Sequence, residues 1–253
     1  MTRRVSRRKM SRREELPFKE QLKIEEGVFD NRTIMMLGKM LTRGIVSRMD
    51  FIIGKGKEAD IYLAEPGGKI YGEKVILKIF RLETSSFSNR KDYMVGDQRF
   101  DGIRSNIMQI VNAWCKKEFG NLKLAEEAGV HAPLPYSFSG NVLAMEFIGE
   151  DGKCSPTLKE CGSRNPNETL KSILNDIKLL YKGGLVHGDI SEYNILMKGD
   201  VPYIIDFGQA VSIGHPRSGE FLMRDIDTIT GFFRKRYGIE SDAQKLFESI
   251  MKR

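Results

Sequence analysis

The sequence predicts an α+β chain of two lobes, a sheet-rich front half and a helical back half that meet near residue 149. Three observations carry this. Apolar or alternating runs, "MDFII", "DIYLAE" and "KVILKIF", crowd the stretch from Met49 to Phe80. A helical repeat of apolar residues runs from Leu170 to Tyr181. After both, acids stand in loops beside a short hairpin, at Asp189 and Asp206. A chain of 253 residues, 40% hydrophobic and 30% charged, is long enough to bury the core that such lobes need.

The elements follow in order. Residues 1–16 form a basic tail, with Arg3, Arg4, Arg7, Arg8, Lys9, Arg12 and Arg13 close together, and are expected to be disordered. The tail reads either as a solvated run or as an arm for RNA phosphates, within a formal net charge of +7. Its polar continuation "SRREEL" is no signal-peptide core, and no apolar run approaches the roughly 18 residues of a membrane span. A cytoplasmic protein without membrane association is expected. Cys115, Cys154 and Cys161 form no CxxC pair, and His131, His187 and His215 give no zinc spacing, so the thiols are expected to be reduced and unligated.

An N-terminal helical element is expected over 17–48, with Asp30 as N-cap, Phe29 stapling Ile34, and Gly44 just past its end. Ile34, Leu37, Met40 and Leu41 share one face for core packing. The first lobe then spans 49–148: three strands in an antiparallel meander, a polar segment of about 81–106, a helix from Ile107 to Ala128 ended by Gly129, and a hairpin turning at Ser139 to Asn141. The second lobe spans 149–253. Asn165, Pro166 and Glu168 predict a capped helix start, and Leu170, Ile173, Leu174, Ile177, Leu180 and Tyr181 carry the helix to Gly183 and Gly184. A hairpin turning at Gly199 and Asp200 and two helices, Glu220 to Tyr237 and Ser241 to Met251, complete it.

The chemistry concentrates in "HGDISEYNIL" and "YIIDFGQA". Asp189, Asn194 and Asp206 bring two hard-oxygen ligands and a base within about twenty residues, a pattern suited to phosphate and magnesium. Upstream stand a glycine-rich turn, "GKGKEA", a lysine in a strand, Lys78, and an acid in a helix, Glu118. In that order the parts resemble the protein kinase-like fold, whose pattern is Gly-rich loop, strand lysine, helix glutamate, H-x-D-x-x-x-x-N and D-F-G. Phosphoryl transfer needs positioning and charge neutralisation, and each residue type suits that need. The backbone of Ile53, Gly54, Gly56, Lys57 and Glu58 is expected against the nucleotide; Lys78, oriented by Glu118, against the α and β phosphates; Asn194 and Asp206 on the metal; Asp189, with Asp206 the second catalytic acid, at the attacking hydroxyl. "MEFIG" looks like a hinge whose backbone at Glu146 and Ile148 receives adenine. His187 is expected to brace the loop, and a lysine at a strand edge or a solvated glutamate remains the plain alternative for Lys78 and Glu118.

Two departures from ordinary protein kinases narrow the resemblance. Ser191 stands where a lysine usually touches the γ phosphate, and only about fifty residues follow Asp206, with no A-P-E sequence. With "LKIFRLETSSF", "KKEFGNLKLAEEAGV", "MEFIGEDG", "HGDISEYNIL" and "IIDFGQAV", the chain resembles the RIO family of atypical serine/threonine protein kinases, nearest its first branch. The resemblance covers almost everything from the first helix onward. It implies a minimal two-lobed kinase fold without activation segment or peptide-docking helices, with an extra N-terminal helical element. It also implies ATP with magnesium, or manganese as the alternative ion, and a role in maturing the small ribosomal subunit, with precursor rRNA and ribosomal proteins as partners. In the 81–106 segment, Thr84, Ser85, Ser86 and Ser88 are candidate sites of autophosphorylation, against the plain reading of a polar insertion. Four functions remain open: a serine/threonine kinase, an ATPase switch in which Asp206 takes a phosphoryl group, a non-catalytic RNA-binding scaffold, and a small-molecule kinase using the same H-G-D motif.

Overall fold

The computed structural model describes residues 29–82, 99 and 106–252. The basic tail, residues 17–28 of the helical element and the hydroxyls at Thr84, Ser85, Ser86 and Ser88 lie outside the described residues. Helix α1 (Asn31–Thr42) starts where Asp30 accepts hydrogen bonds from the amides of Arg32 and Thr33. It ends at Arg43, with Gly44 turning the chain at φ 70°. Phe29 sets its ring edge-on to Tyr62, 5.5 Å away, and flanks with Ile34 the cluster that Leu37 and Met40 enter.

Strands β1 (Val46–Lys55), β2 (Ala59–Pro66) and β3 (Val75–Phe80) form the expected meander, and β4 (Pro135–Ser139) and β5 (Val142–Glu146) form the expected hairpin. All pairings are antiparallel, in the spatial order β1, β2, β3, β5, β4. The central strand β3 is buried along its whole length. Its period of two decides what faces where: Val75, Leu77 and Ile79 enter the cluster under α1, while Ile76, Lys78 and Phe80 point to the opposite face. Helix α2 (Ile107–Glu127) covers that opposite face, with Val111, Trp114 and Leu122 packed among Phe80, Leu143 and residues of the second lobe. The largest apolar cluster therefore crosses the boundary at residue 149. Whatever moves α2 must also move part of the second lobe's core.

The second lobe opens with β6 (Gly149–Glu150), β7 (Lys153–Cys154) and a short helix, α3 (Leu158–Cys161). A capping box does occur here, but at Thr157 and Glu160 rather than at Asn165 and Glu168. Asn165 caps α4 (Pro166–Lys182) without a side-chain bond, because its own amide already donates to the Ser163 hydroxyl at 3.1 Å. Leu170, Ile173, Ile177 and Leu180 line the buried face of α4 as their spacing requires. Beyond it, β8 (Leu185–Val186) pairs with β11 (Val211–Ser212), and β9 (Ile195–Lys198) pairs with β10 (Val201–Ile204). A 3-10 turn at Phe207–Gln209 and helices α5 (Ser218–Tyr237) and α6 (Ala243–Met251) follow. Among the described residues, no helix is long and apolar enough to cross a membrane.

Candidate active site

A cleft of about 480 Å³ lies between the lobes. Its roof is the turn from β1 to β2: Ile53, Gly54, Gly56, Lys57 and Glu58 all line it. The Gly56 amide donates to the Ala59 carbonyl at 2.9 Å, and a Cβ on Gly56 would stand 3.0 Å from that oxygen. Gly56 thus keeps the turn tight, while at Gly54 a Cβ would meet only ordinary contacts with Ile61. Glu146 and Ile148 line the back of the cleft, and the Ile148 carbonyl accepts from the Ser155 amide at 3.0 Å. Apolar walls come from Ile61, Ile76, Met145 and Leu196, which the sequence reading did not assign to the site.

At the inner end Lys78 projects from β3. Its Nζ donates to both oxygens of Glu118, at 2.7 and 2.9 Å, and to Asp206 Oδ1 at 2.9 Å. Burial works against the charge on Lys78, yet Asp206 and Glu118 outweigh it and raise its pKa. Glu118 is 1% exposed and sits behind Lys78, outside the cleft lining; Asp206, its side chain 41% exposed, faces the cleft from a left-handed backbone, φ 65°. Helix α2 fixes more than Glu118. One turn further on, Asn121 donates to the carbonyls of Phe207 and Ala210 at 2.8 and 3.1 Å, pinning the turn that carries Asp206. Arg99 donates to the other end of the same amide at 2.8 Å. Gly208 passes so close that a Cβ would stand 2.9 Å from Trp114 Nε1 and 3.3 Å from Glu118 Oε2.

Asp189 and Asn194 meet in the loop between β8 and β9. Asn194 donates through Nδ2 to the Asp189 carbonyl at 2.9 Å and to its Oδ2 at 3.2 Å, and Gln209 donates to the same Oδ2 at 3.2 Å. The loop is held from beneath by Asp225 of α5, fully buried, whose two oxygens accept from the amides of Gly188 and Ile190 at 2.7 and 2.9 Å. Burial raises the Asp225 pKa to about 7, against the lowering effect of those bonds, and Arg224 donates to the Gly188 carbonyl. His187 Nε2 donates to the Ile205 carbonyl at 3.2 Å, and its Nδ1 has no hydrogen-bond partner among the described residues. Burial lowers the His187 pKa to about 4, so the ring is neutral and serves as a strut.

Gln209, Asp225 and Asn121 were missed by the sequence reading. Asp225 had left a signal, an acid on the same helical face as Phe221, Leu222 and Ile229, where a charge must be paired or braced. Gln209 and Asn121 had left none, because a surface amide looks the same in sequence. The site has the donor chemistry for a hard cation: Asn194, with Nδ2 committed to Asp189, offers its amide oxygen beside the Asp206 carboxylate, and both line the cleft. Among the described residues, no cluster of three or more His, Cys, Asp or Glu suits a metal.

The RIO domain family matches residues 60–246. The chain is 37% identical over 231 residues to the RIO-type serine/threonine-protein kinase Rio1 of Haloferax volcanii, covering 91% of this chain and 78% of that protein. It is 40% identical over 223 residues to the protein of the same name in Methanocaldococcus jannaschii, covering 88% and 75%. Against the human serine/threonine-protein kinase RIO1 the identity is 34% over 230 residues, covering 89% of this chain but 40% of the human one. Among solved structures, the Rio2 kinase of Chaetomium thermophilum in an ADP/Mg2+-phosphoaspartate complex superposes with a TM-score of 0.66 at 27% identity, covering 87% of this chain and 66% of that one.

Proposed function

Because this chain belongs to the RIO family, with its curated relatives on the Rio1 branch, we propose that it is a serine/threonine protein kinase that transfers the γ phosphate of magnesium-ATP at the cleft between its lobes. The observation that carries this reading is Lys78, held between Glu118 and Asp206 at the inner end of a glycine-roofed cleft. In this reading the backbone of residues 53–58 covers the phosphates, Lys78 grips the α and β phosphates in the direction Glu118 sets, and Glu146 and Ile148 receive the base. Asp206 and Asn194 hold magnesium, which neutralises charge on the phosphate oxygens. Asp189, steadied by Asn194 and Gln209, orients the attacking hydroxyl and takes its proton as the oxygen bonds to phosphorus and ADP leaves. Asp206→Ala should abolish ATP turnover while the protein still folds; retained turnover would refute the role given to Asp206.

A second reading draws on two observations. Ser191 replaces the lysine that ordinarily touches the γ phosphate, and Asp206 is open to the cleft. In the Chaetomium relative an aspartate carries phosphate beside ADP and magnesium. On that pattern Asp206 would accept the phosphoryl group and water would release it, making the cycle an ATPase switch. Hydroxylamine-labile label that disappears in Asp206→Asn would favour this reading over transfer to Ser or Thr. For the biological setting we propose maturation of the small ribosomal subunit in the cytoplasm, on the family resemblance and the net charge of +7. Failure to co-sediment with precursor small subunits in any nucleotide state would refute that.

A further inference from the structure

A second groove, of about 620 Å³, opens on the second lobe beside the loop that carries Asp189. Lys159, Arg234, Lys235 and Arg236 line it together with two acids, Glu192 and Asp227. Its charge balance is thus positive. Lys159 lies 3.5 Å from Glu192 and so partly neutralises one acid, whereas the side chains of Arg234 and Lys235 are exposed with no hydrogen-bond or ion-pair partner among the described residues. Arg236 is already fixed in place: it donates to the Lys159 carbonyl at 2.9 Å and stacks near the rings of Phe232 and Tyr237. Basic residues in the last turn of α5 would suit the helix dipole alone. That does not account for Lys159, which comes from α3, nor for Gly231, a mid-helix glycine above which a Cβ would meet nothing within 4 Å. Gly231 has no packing reason in this fold. Its effect is to deepen the groove.

The groove's position relates it to the reaction. Two segments run from the ATP cleft into it. Thr157 and Asn194 line the cleft, and Lys159 and Glu192, each two residues away, line the groove. Two residues span at most about 7 Å, and the three from Asp189 to Glu192 at most about 11 Å. We propose that this groove takes acidic side chains of a protein substrate, lying about two to four residues from the hydroxyl that receives phosphate. The proposal rests on the protein-kinase reading of the cleft. It gives that reading a substrate class: serines and threonines in acidic surroundings, with Arg234 and Lys235 as specificity-determining residues.

The test uses the full chain with magnesium-ADP and two fluorescent peptides around one serine, glutamate-flanked and lysine-flanked, plus an RNA oligonucleotide of the acidic peptide's charge. The acidic peptide should bind about tenfold more tightly than the basic one, as two exposed ion pairs imply. Arg234→Glu with Lys235→Glu should erase that preference. So should Gly231→Met, which fills the groove with a better helix former, and neither variant should alter peptide-independent ATP turnover. Equal binding of the two peptides, variants that bind the acidic peptide as tightly as before, or variants that lose only RNA binding would overturn the proposal. With magnesium-ATP the same peptides separate the two claims. Selective binding without phosphate on the serine, while ATP is consumed, would contradict the kinase reading and leave the groove's preference for acids intact.

Discussion

Replacing Lys78 with methionine should destabilise the chain more than replacing both Lys78 and its buried partner. The 2.7 Å contact to Glu118 and the 2.9 Å contact to Asp206 share one nitrogen, so those two carboxylate oxygens are at most about 5.6 Å apart. Without the ammonium between them, two unit charges at that separation repel by about 3 kcal/mol at an effective dielectric of 20. Exposure of the Asp206 side chain, 41%, reduces this to about 1–2 kcal/mol by solvent screening. To it is added the desolvation of Glu118, which at 1% exposure is left without the cation that offsets it. Together Lys78→Met should cost about 3 kcal/mol, which in a chain of this size lowers the melting temperature by roughly 6–12 °C. Adding Glu118→Gln removes the stranded charge, so the double variant should recover about 1–2 kcal/mol of that loss. Thermal unfolding of the three variants without nucleotide checks all of this. A double variant that melts no higher than Lys78→Met would refute the reasoning.

Two further outcomes follow from the loop that carries Asp189. His187, whose pKa burial lowers from its ordinary 6.5 to about 4, binds its proton more readily unfolded than folded; its contribution is complete above pH 6.5 and is lost as pH falls toward 4, about 3 kcal/mol in all. Urea unfolding should therefore show the advantage of the native chain over His187→Leu shrinking across that window, and a constant difference would contradict it. Asp225→Asn can satisfy only one of the amides of Gly188 and Ile190, so the loop should shift and kcat fall roughly 10–100-fold. Nucleotide affinity should hold within about twofold, since Asp225 is no part of the cleft lining. An equal loss in both would mean that the loop is not what Asp225 braces.

Much of the molecule was legible in the sequence, for identifiable reasons. The meander, the hairpins and α4 announced themselves because their apolar residues repeat at strand or helix period and the turn residues Gly140, Gly183 and Gly199 punctuate them. Lys78 was legible because it follows the glycine-rich turn and precedes Glu118 in the order of the kinase-like pattern, and its full burial in β3 excludes the plain alternative of a strand-edge lysine. Less legible were contacts between segments far apart in the chain. Asn121 reaches a turn 86 residues away that nothing local marks, and Asp225 a loop 37 residues away, where its place on an apolar helix face signals a brace but not what it braces. The Asn165 cap was misread because the Ser163 hydroxyl supplied the bond expected from Glu168, a competition between neighbours that spacing alone does not rank. The groove around Gly231 was also hidden, since its walls come from α3, α5 and the Asp189 loop.

The most direct test of the central claim follows the γ phosphate of labelled magnesium-ATP with the purified chain, Asp189→Asn as control, separating free phosphate from phosphoprotein. Label is expected on serine or threonine and should be lost in the control. Label that appears chiefly as free phosphate, or that persists undiminished in Asp189→Asn, would contradict that claim.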